Sequence, residues 1–177
     1  MRPISIIFGI IAAIIIIGGG ITLLRKPSTE SVYVAPGERK PVPDFTLLEM
    51  GGDAVSLKDH LGTPLVINSW ASWCPFCIDE LPDLVKIQKE FKNDIIVIAV
   101  NRSETLQRAR EYTDENNITD DLIYLLDARD TFYKSIGGFS MPETLFVDRQ
   151  GKIQFHKRGV MKIDEIRSRV NNLLKDS

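Results

Sequence analysis

Apolar residues are distributed in two different ways along the chain, and the first is one long uncharged run. The 21 residues from Ile4 to Leu24 carry no charge, with Arg2 before them and Arg25 after them. As a helix this run would span about 30 Å, the thickness of one bilayer core. It exceeds the ~7 to 15 apolar residues of a cleaved signal peptide, and no Ala-x-Ala site follows it. The pattern therefore predicts a transmembrane anchor over residues 1–26, whose orientation the basic residues on both sides leave undecided.

The second distribution begins after a polar segment and is an alternation of short apolar runs. Residues 27–42 are rich in Pro, Ser, Glu, Lys and Gly without a sustained period, which is typical of an extended linker. From residue 43 to residue 177, runs of strand length alternate with stretches of helical spacing. The predicted strands cover residues 44–48, 54–57, 63–70, 94–100, 122–126, 143–147 and 152–157, and the predicted helices cover 74–91, 104–116, 130–136 and 162–175.

Two local signals refine this pattern. The first two strands flank Met50-Gly51-Gly52-Asp53, which predicts a β-hairpin with a glycine turn. Ser103 is expected to cap the helix that would begin at Glu104. Strands that alternate with helices favour a central sheet covered on both faces, and the pairing of the last two strands makes that sheet mixed.

Composition limits the number of domains and the class of partner. The chain has 177 residues, of which 44% are hydrophobic, so we expect a single well-buried domain. The formal net charge is -2, and no cluster of Lys and Arg with interleaved aromatic residues is present. Nucleic-acid binding is therefore not expected.

The two cysteines of the chain stand three residues apart in the run Trp73-Cys74-Pro75-Phe76-Cys77. At this spacing they are neighbours on one helical face, which suits a reversible disulfide. A predicted strand precedes them and a predicted helix follows, so Cys74 would lie at the helix N-terminus with Pro75 in the first turn. Unpaired backbone donors and the helix dipole favour a thiolate there and lower its pKa. Cys77 would lie deeper and act as the resolving thiol.

Several motifs together resemble the membrane-anchored TlpA/ResA/DsbE branch of the thioredoxin family. They are Pro43-Asp44-Phe45-Thr46-Leu47, Val55-Ser56-Leu57, Leu61-Gly62, Asn68-Ser69-Trp70-Ala71-Ser72-Trp73-Cys74, Glu80-Leu81-Pro82 and Met141-Pro142-Glu143-Thr144. The resemblance covers about residues 43 to 175. It implies a thioredoxin fold, an α/β architecture with an N-terminal β-hairpin and a central helix insertion, on the extracytoplasmic side of the membrane.

The resemblance also implies roles for residues near the cysteine pair. It implies that the bond before Pro142 is cis, which would place the backbone of Met141 beside the sulfurs, where a substrate chain can pair with it. Glu80 stands three residues after Cys77 on the same helical face, and the family carries an active-site glutamate at this place. A partly buried carboxylate there can exchange a proton with the Cys77 thiol. Asn68 cannot carry protons, so the acid role falls to Glu80 or to Glu143.

Two further side chains have competing interpretations. Trp73 offers a flat contact beside the sulfurs for a substrate, and a core aromatic is the alternative. His156 alternates away from Ile153 and Phe155 on its predicted strand, so we expect it at the surface, without a catalytic role.

The function implied by the resemblance is reduction of disulfides in partner proteins, such as apocytochrome c during cytochrome c maturation. A transmembrane dithiol carrier of the DsbD or CcdA kind would return electrons to the cysteine pair. The exchange needs no metal and no organic cofactor. General disulfide exchange or oxidation stays open, because the sequence does not give the redox potential. A copper-binding module, a docking module with a static disulfide, a peroxidase and half of a zinc site with His60 and His156 are less favoured alternatives.

Overall fold

Eight strands form one mixed sheet in the computed structural model, which describes residues 32–33 and 36–176. They are β1 (Val32–Tyr33), β2 (Thr46–Glu49), β3 (Ala54–Ser56), β4 (Leu65–Trp70), β5 (Ile96–Arg102), β6 (Ile123–Asp127), β7 (Glu143–Val147) and β8 (Ile153–Arg158). Their order across the sheet is β1-β8-β7-β4-β5-β6-β2-β3. Strand β5 runs parallel to β4 and β6, and the other pairs are antiparallel. The predicted mixed α/β sheet is confirmed.

The helices of the described part are α1 (Pro75–Phe91), α2 (Leu106–Glu115), α3 (Thr131–Ser135) and α4 (Ile163–Lys175). Short 3-10 helices cover Pro36–Glu38, Leu57–His60 and Lys92–Asp94. Among these described residues, none of the helices combines the length and the apolar character that crossing a bilayer requires. The predicted anchor over residues 1–26 lies outside the described residues.

The central strands are buried on both faces because helices cover one face and a smaller layer covers the other. All six residues of β4 are buried. Val66 and Trp70 belong to the core cluster that contains residues of α1, α2 and α4. Leu65 and Ile67 belong to a second cluster, which Phe132 of α3 completes together with apolar residues from the N-terminal part of the domain. This two-sided burial explains why the strand shows a nearly continuous apolar run rather than alternation.

The N-terminal hairpin forms as predicted, and it extends the sheet at one edge. Strands β2 and β3 pair across a turn in which Gly52 has φ of +101°, a conformation that glycine adopts without steric cost. Leu48 of β2 pairs with Leu126 of β6, so the hairpin joins the edge that β6 would otherwise leave open. The sequence predicted the hairpin but gave no information about this partner.

The expected cap of the helix after β5 is wrong. Ser103 has φ of +55°, and an N-cap residue needs an extended backbone, which Thr105 provides with φ of −80° and ψ of 156°. The Thr105 side chain accepts a hydrogen bond from the Arg108 N–H, and α2 begins at Leu106. Glu104 therefore lies in the loop before the helix rather than in its first turn.

The end of the predicted linker packs on the domain. Val42 is buried in the second core cluster, and the Val42 N–H donates to the Gly151 carbonyl. The buried Arg39 side chain forms ion pairs with Asp148 and with Asp176. These contacts fix residues 39–42 against the β7–β8 turn and the C-terminal end of α4.

Candidate active site

Cys74 and Cys77 form a disulfide at the N-terminus of α1, with their Cα atoms 5.3 Å apart. Cys74 is the N-cap residue and Pro75 occupies the first helical position, as predicted. The Cys77 N–H lies 3.2 Å from Cys74 Sγ and donates to it. This donor would stabilise a thiolate on Cys74 in the reduced protein. The arrangement suits Cys74 to the role of the attacking sulfur, as the sequence predicted.

Both cysteines are covered in the disulfide form, whereas their aromatic neighbours are open to solvent. Cys74 is 4% exposed and Cys77 is 1% exposed. Trp73 is 54% exposed and Phe76 is 61% exposed, so Trp73 is not a core aromatic residue. These two rings are available for contact with a partner chain.

The peptide bond between Met141 and Pro142 is cis, as the resemblance implied. Strand β7 starts directly after it, and Glu143 pairs with Ser69 near the end of β4. Because the turn to α1 follows β4, the cis bond and the disulfide lie at the same end of the sheet. Met141 is partly buried against the core cluster that contains both cysteines.

Glu80 is buried one helical turn after Cys77, with 1% of its surface exposed. Its Oε2 accepts from Asn68 Nδ2 at 3.1 Å, and its Oε1 accepts from the Met161 N–H at 2.9 Å. Burial raises the pKa of Glu80 to about 7, because desolvation disfavours the ionised form more than these two hydrogen bonds favour it. A carboxyl group with this pKa exists in both protonation states near neutral pH. It can therefore accept a proton or donate one.

Asn68 connects this glutamate to β7. Its Nδ2 also donates to Thr144 Oγ1 at 2.9 Å, and the Asn68 side chain is 1% exposed. Asn68 and Thr144 face each other on the paired strands β4 and β7. The Asn68 amide thus orients Glu80 but does not ionise, so it cannot take part in proton transfer.

Glu143 is fully buried below the loop that carries the cis bond. Its Oε2 accepts from the Phe139 N–H at 3.2 Å, and its Oε1 accepts from Arg158 Nε at 3.1 Å. The predicted contact of Glu143 with substrate stays a prediction. In the disulfide form its carboxylate contacts this loop and strand β8 instead.

The expectation that His156 is a surface residue is wrong. Its side chain is 16% exposed, and its Nε2 lies 2.6 Å from Glu143 Oε1. The two atoms are in close contact, although the ring nitrogen does not point at the oxygen at a hydrogen-bonding angle. Alternation along β8 predicted a solvent-facing position, but it cannot detect a buried acid on the neighbouring strand.

Sequence reasoning missed a carboxylate on the other side of the disulfide. Glu104 Oε2 accepts from the Ser72 N–H at 2.8 Å and from Asn101 Nδ2 at 2.7 Å, and Glu104 Oε1 accepts from Ser72 Oγ at 2.6 Å. The available signal was position. Asn101 lies at the carboxyl end of the buried parallel strand β5 and Glu104 lies just after it, where functional residues of open α/β sheets gather.

No group of three or more His, Cys, Asp or Glu side chains is arranged to hold a metal ion within the described part of the chain. The chemistry that the site can support with its own groups is thiol–disulfide exchange. Cys74 and Cys77 supply the exchanging sulfurs, and Glu80 supplies a buried proton carrier near Cys77.

Residues 37–174 match the family model described as Redoxin. The thiol-disulfide oxidoreductase ResA of Geobacillus thermodenitrificans is 25% identical over 87% of this chain and 87% of its own length. The thiol:disulfide interchange protein DsbE of Pseudomonas fluorescens biotype C is 31% identical over 76% of each chain.

The fold is also that of a solved structure, a secreted thiol-disulfide isomerase from Corynebacterium glutamicum. That chain superposes with a TM-score of 0.76, covers 86% of this chain and 96% of its own length, and is 19% identical. The superposition supports the fold alone. The family match, the curated relatives and the cysteine pair at the helix terminus lead to one conclusion: the chain belongs to the redoxin family and is a ResA- and DsbE-like thiol–disulfide oxidoreductase of the thioredoxin fold.

Proposed function

We propose that this protein reduces disulfides of partner proteins outside the cytoplasm while tethered to the membrane, with apocytochrome c as the expected client during cytochrome c maturation. The observation that carries the proposal is the position of Cys74, which caps a helix and accepts a hydrogen bond from the Cys77 N–H. The resemblance to the TlpA/ResA/DsbE branch supports the choice of client and of direction. The uncharged run from Ile4 to Leu24 supports the tether.

In the first step, the Cys74 thiolate attacks one sulfur of the client disulfide. A new bond forms between Cys74 Sγ and that sulfur, the client disulfide breaks, and the other client sulfur leaves as a thiolate that takes up a proton. The backbone of Met141 beside the cis bond can hold the client segment as an added strand. The exposed Trp73 ring lies at the edge of the same site.

In the second step, Cys77 resolves the mixed disulfide. Its thiol loses a proton to the carboxylate of Glu80, which lies one turn away on the same buried face of α1. The Cys77 thiolate attacks Cys74 Sγ, the bond to the client breaks, and the second client sulfur leaves and is protonated. The client gains two electrons and two protons, and the protein is left with the disulfide between Cys74 and Cys77.

The oxidised protein must then be reduced again before another turnover. A transmembrane dithiol carrier of the DsbD or CcdA kind is the proposed donor, on the basis of the family resemblance. It would attack the disulfide by the same chemistry in reverse, and two thiols on the carrier would be oxidised.

The direction of the reaction is tested by insulin reduction with dithiothreitol as the electron source. We expect the wild-type protein to reduce insulin disulfides and Cys74→Ser to lose the activity. A redox equilibrium with glutathione adds the potential. A pair that stays reduced even at oxidising glutathione ratios, and that oxidises dithiols faster than it reduces insulin, would contradict the reductase direction.

The client is tested with Cys77→Ser, which cannot complete the second step. Apocytochrome c should remain linked to Cys74 through a disulfide, and mass spectrometry of the adduct purified from membranes should identify it. Cys74→Ser with Cys77 intact is the matched control and should trap much less. Adducts that consist of other proteins only would reject apocytochrome c as the client.

The location is tested with a membrane-impermeant maleimide on protoplasts. Cys74 of the reduced full-length protein should be labelled without lysis, and removal of residues 1–26 should release the protein from the membrane fraction. Labelling that requires lysis would place the domain in the cytoplasm.

A further inference from the structure

The turn between β4 and α1 is held from outside by Glu104. This turn covers residues 71–74, and the Cys74 N–H donates to the Ala71 carbonyl within it. The carboxylate of Glu104 reaches the turn from the loop after β5 and accepts two hydrogen bonds from Ser72, one from its N–H and one from its hydroxyl. Distances of 2.8 and 2.6 Å fall in the range of charge-assisted bonds.

The carboxylate is itself fixed by a buried side chain. Asn101 is 0% exposed, and its Nδ2 donates to Glu104 Oε2 at 2.7 Å. Asn101 stands on β5 directly beside Trp70, the last residue of β4. The hydrogen bonds therefore connect the active-site turn to the buried central strands of the sheet.

The backbone around Glu104 adopts an unusual conformation that places the side chain. Ser103 has φ of +55°, in the left-handed region that residues other than glycine rarely occupy. The Ser103 N–H donates to the Asp127 carbonyl at 3.1 Å, which holds the loop in this shape. Such conformations persist where the surrounding structure determines them, and they cluster at functional sites. Helix α2 starts only at Leu106, so Glu104 is free to point at Ser72.

We propose that Glu104 is a positioning residue for the nucleophile: by holding Ser72, it keeps Cys74 in the geometry at the helix N-terminus that stabilises the thiolate. The inference rests on the proposed function only through the identity of Cys74 as the attacking sulfur. Ser72 stands two residues before Cys74, and the Cys77 N–H must point at Cys74 Sγ for the thiolate to be stabilised. A turn without its external support loses part of this alignment.

Removal of Glu104 has two opposite consequences, and the test must separate them. Loss of the support raises the pKa of Cys74, because the helix donors point less well at the sulfur. Loss of a nearby negative charge lowers the pKa of Cys74. Glu104→Ala removes both the charge and all the acceptors, whereas Glu104→Gln removes the charge and keeps one acceptor oxygen.

The experiment measures the rate of iodoacetamide alkylation of Cys74 against pH in the reduced protein, without any client. Glu104→Ala should raise the thiol pKa by about one unit and so slow alkylation at pH 7 by up to about tenfold, the full factor applying where the wild-type pKa lies above 7. Glu104→Gln should fall between this variant and the wild type. Glu111→Ala is the control for the loss of a nearby charge, since Glu111 lines the same surface pocket as Ser72 but accepts its hydrogen bond from Gln107 on α2. It should leave the profile close to that of the wild type.

Ser72→Ala completes the test because it removes the hydroxyl bond and keeps the backbone N–H bond. Alone it should slow alkylation less than Glu104→Ala does, and in the Glu104→Ala background it should have no further effect. An unchanged profile in Glu104→Ala, or faster alkylation in both Glu104 variants, would overturn the proposal. A different result is a wild-type protein that fails to reduce insulin while the Glu104 variants still show the expected shifts in alkylation. That result would count against the proposed function and leave the role of Glu104 intact.

Discussion

Two glutamates near the disulfide are almost completely buried, but their carboxylates contact different kinds of groups. Glu80 lies behind Cys77 among neutral partners, the amide of Asn68 and the N–H of Met161. Glu143 lies below the loop with the cis bond and contacts two basic side chains, His156 and Arg158. The two side chains are buried to a similar degree, but Glu80 contacts neutral donors whereas Glu143 contacts basic side chains.

The difference separates a proton carrier from a structural acid. Neutral donors only partly replace the hydration of a carboxylate, so burial raises the pKa of Glu80 to about 7. The guanidinium of Arg158 lies 3.1 Å from the Glu143 carboxylate, which also accepts hydrogen bonds from the backbone of the loop at Phe139 and Ser140. Glu80 is thus suited to change its charge during turnover, whereas the contacts of Glu143 suit it to hold the loop and strand β8 together.

Removal of the buried acid with cationic partners should have the largest effect. Glu143→Ala leaves the Arg158 guanidinium without its anion and the loop N–H at Phe139 without its acceptor. We expect the free energy of unfolding in urea to fall by about 3 kcal/mol. Glu165→Ala, which removes an ion pair with Lys157 on the same strand β8, is the control and should lower it by less than about 1 kcal/mol. Equal losses in the two variants would show that Glu143 is not a structural acid.

The charge of Glu80 should appear in the pH dependence of stability. Its pKa is about 7 in the folded protein against 4.5 in the unfolded chain, so the folded state binds more protons between these values. The contribution of Glu80 to the free energy of unfolding is complete below pH 4.5. It is lost as the pH rises through 7, by about 3 kcal/mol in all. The free energy of unfolding of the oxidised protein should decrease from pH 5 to pH 8. In Glu80→Gln this decrease should be smaller than in the wild type, by most of the contribution of Glu80. Parallel profiles would contradict the raised pKa.

The smallest of these effects concerns the Asn68 amide, which donates to Glu80 on α1 and to Thr144 on β7. Asn68→Ala removes a hydrogen bond that lowers the pKa of Glu80, so this pKa should move further above its ordinary value. We expect a loss of about 1 kcal/mol, larger at pH 8 than at pH 5 because the bond favours the ionised carboxylate. Thr144→Val keeps the bond to Glu80 and is the control, whose loss should not depend on pH. A loss in Asn68→Ala that is the same at both pH values would argue against this coupling.

The sequence predicts the elements well where one local signal decides them. The apolar run at 65–70 and the spacing in 75–91 each determine their element without help from distant residues. The cysteine spacing and Pro75 likewise determine the N-terminus of α1. The cis bond before Pro142 was available only through the family resemblance, because most X-Pro bonds in folded proteins are trans.

The sequence fails where the answer depends on a contact between distant elements. His156 lies against Glu143 on the neighbouring strand β7. The alternation of residues along β8 alone gives no information about a side chain on another strand. Glu104 lies outside α2 because Ser103 takes a left-handed conformation, whereas a serine at that place ordinarily indicates a cap. The pairing of β2 with β6 at the edge of the sheet also joins strands that are distant in the sequence, so no local pattern indicates it.

The most direct test of the central claim, that Cys74 is the activated sulfur and Cys77 the resolving one, is the alkylation of both thiols against pH in the reduced wild-type protein. Mass spectrometry after a short pulse of iodoacetamide gives the labelled fraction of each cysteine. The structure predicts that Cys74 is labelled at neutral pH, with a midpoint below the ordinary thiol value of about 8.5, and that Cys77 is labelled much more slowly. Equal and slow labelling of the two cysteines would contradict the account.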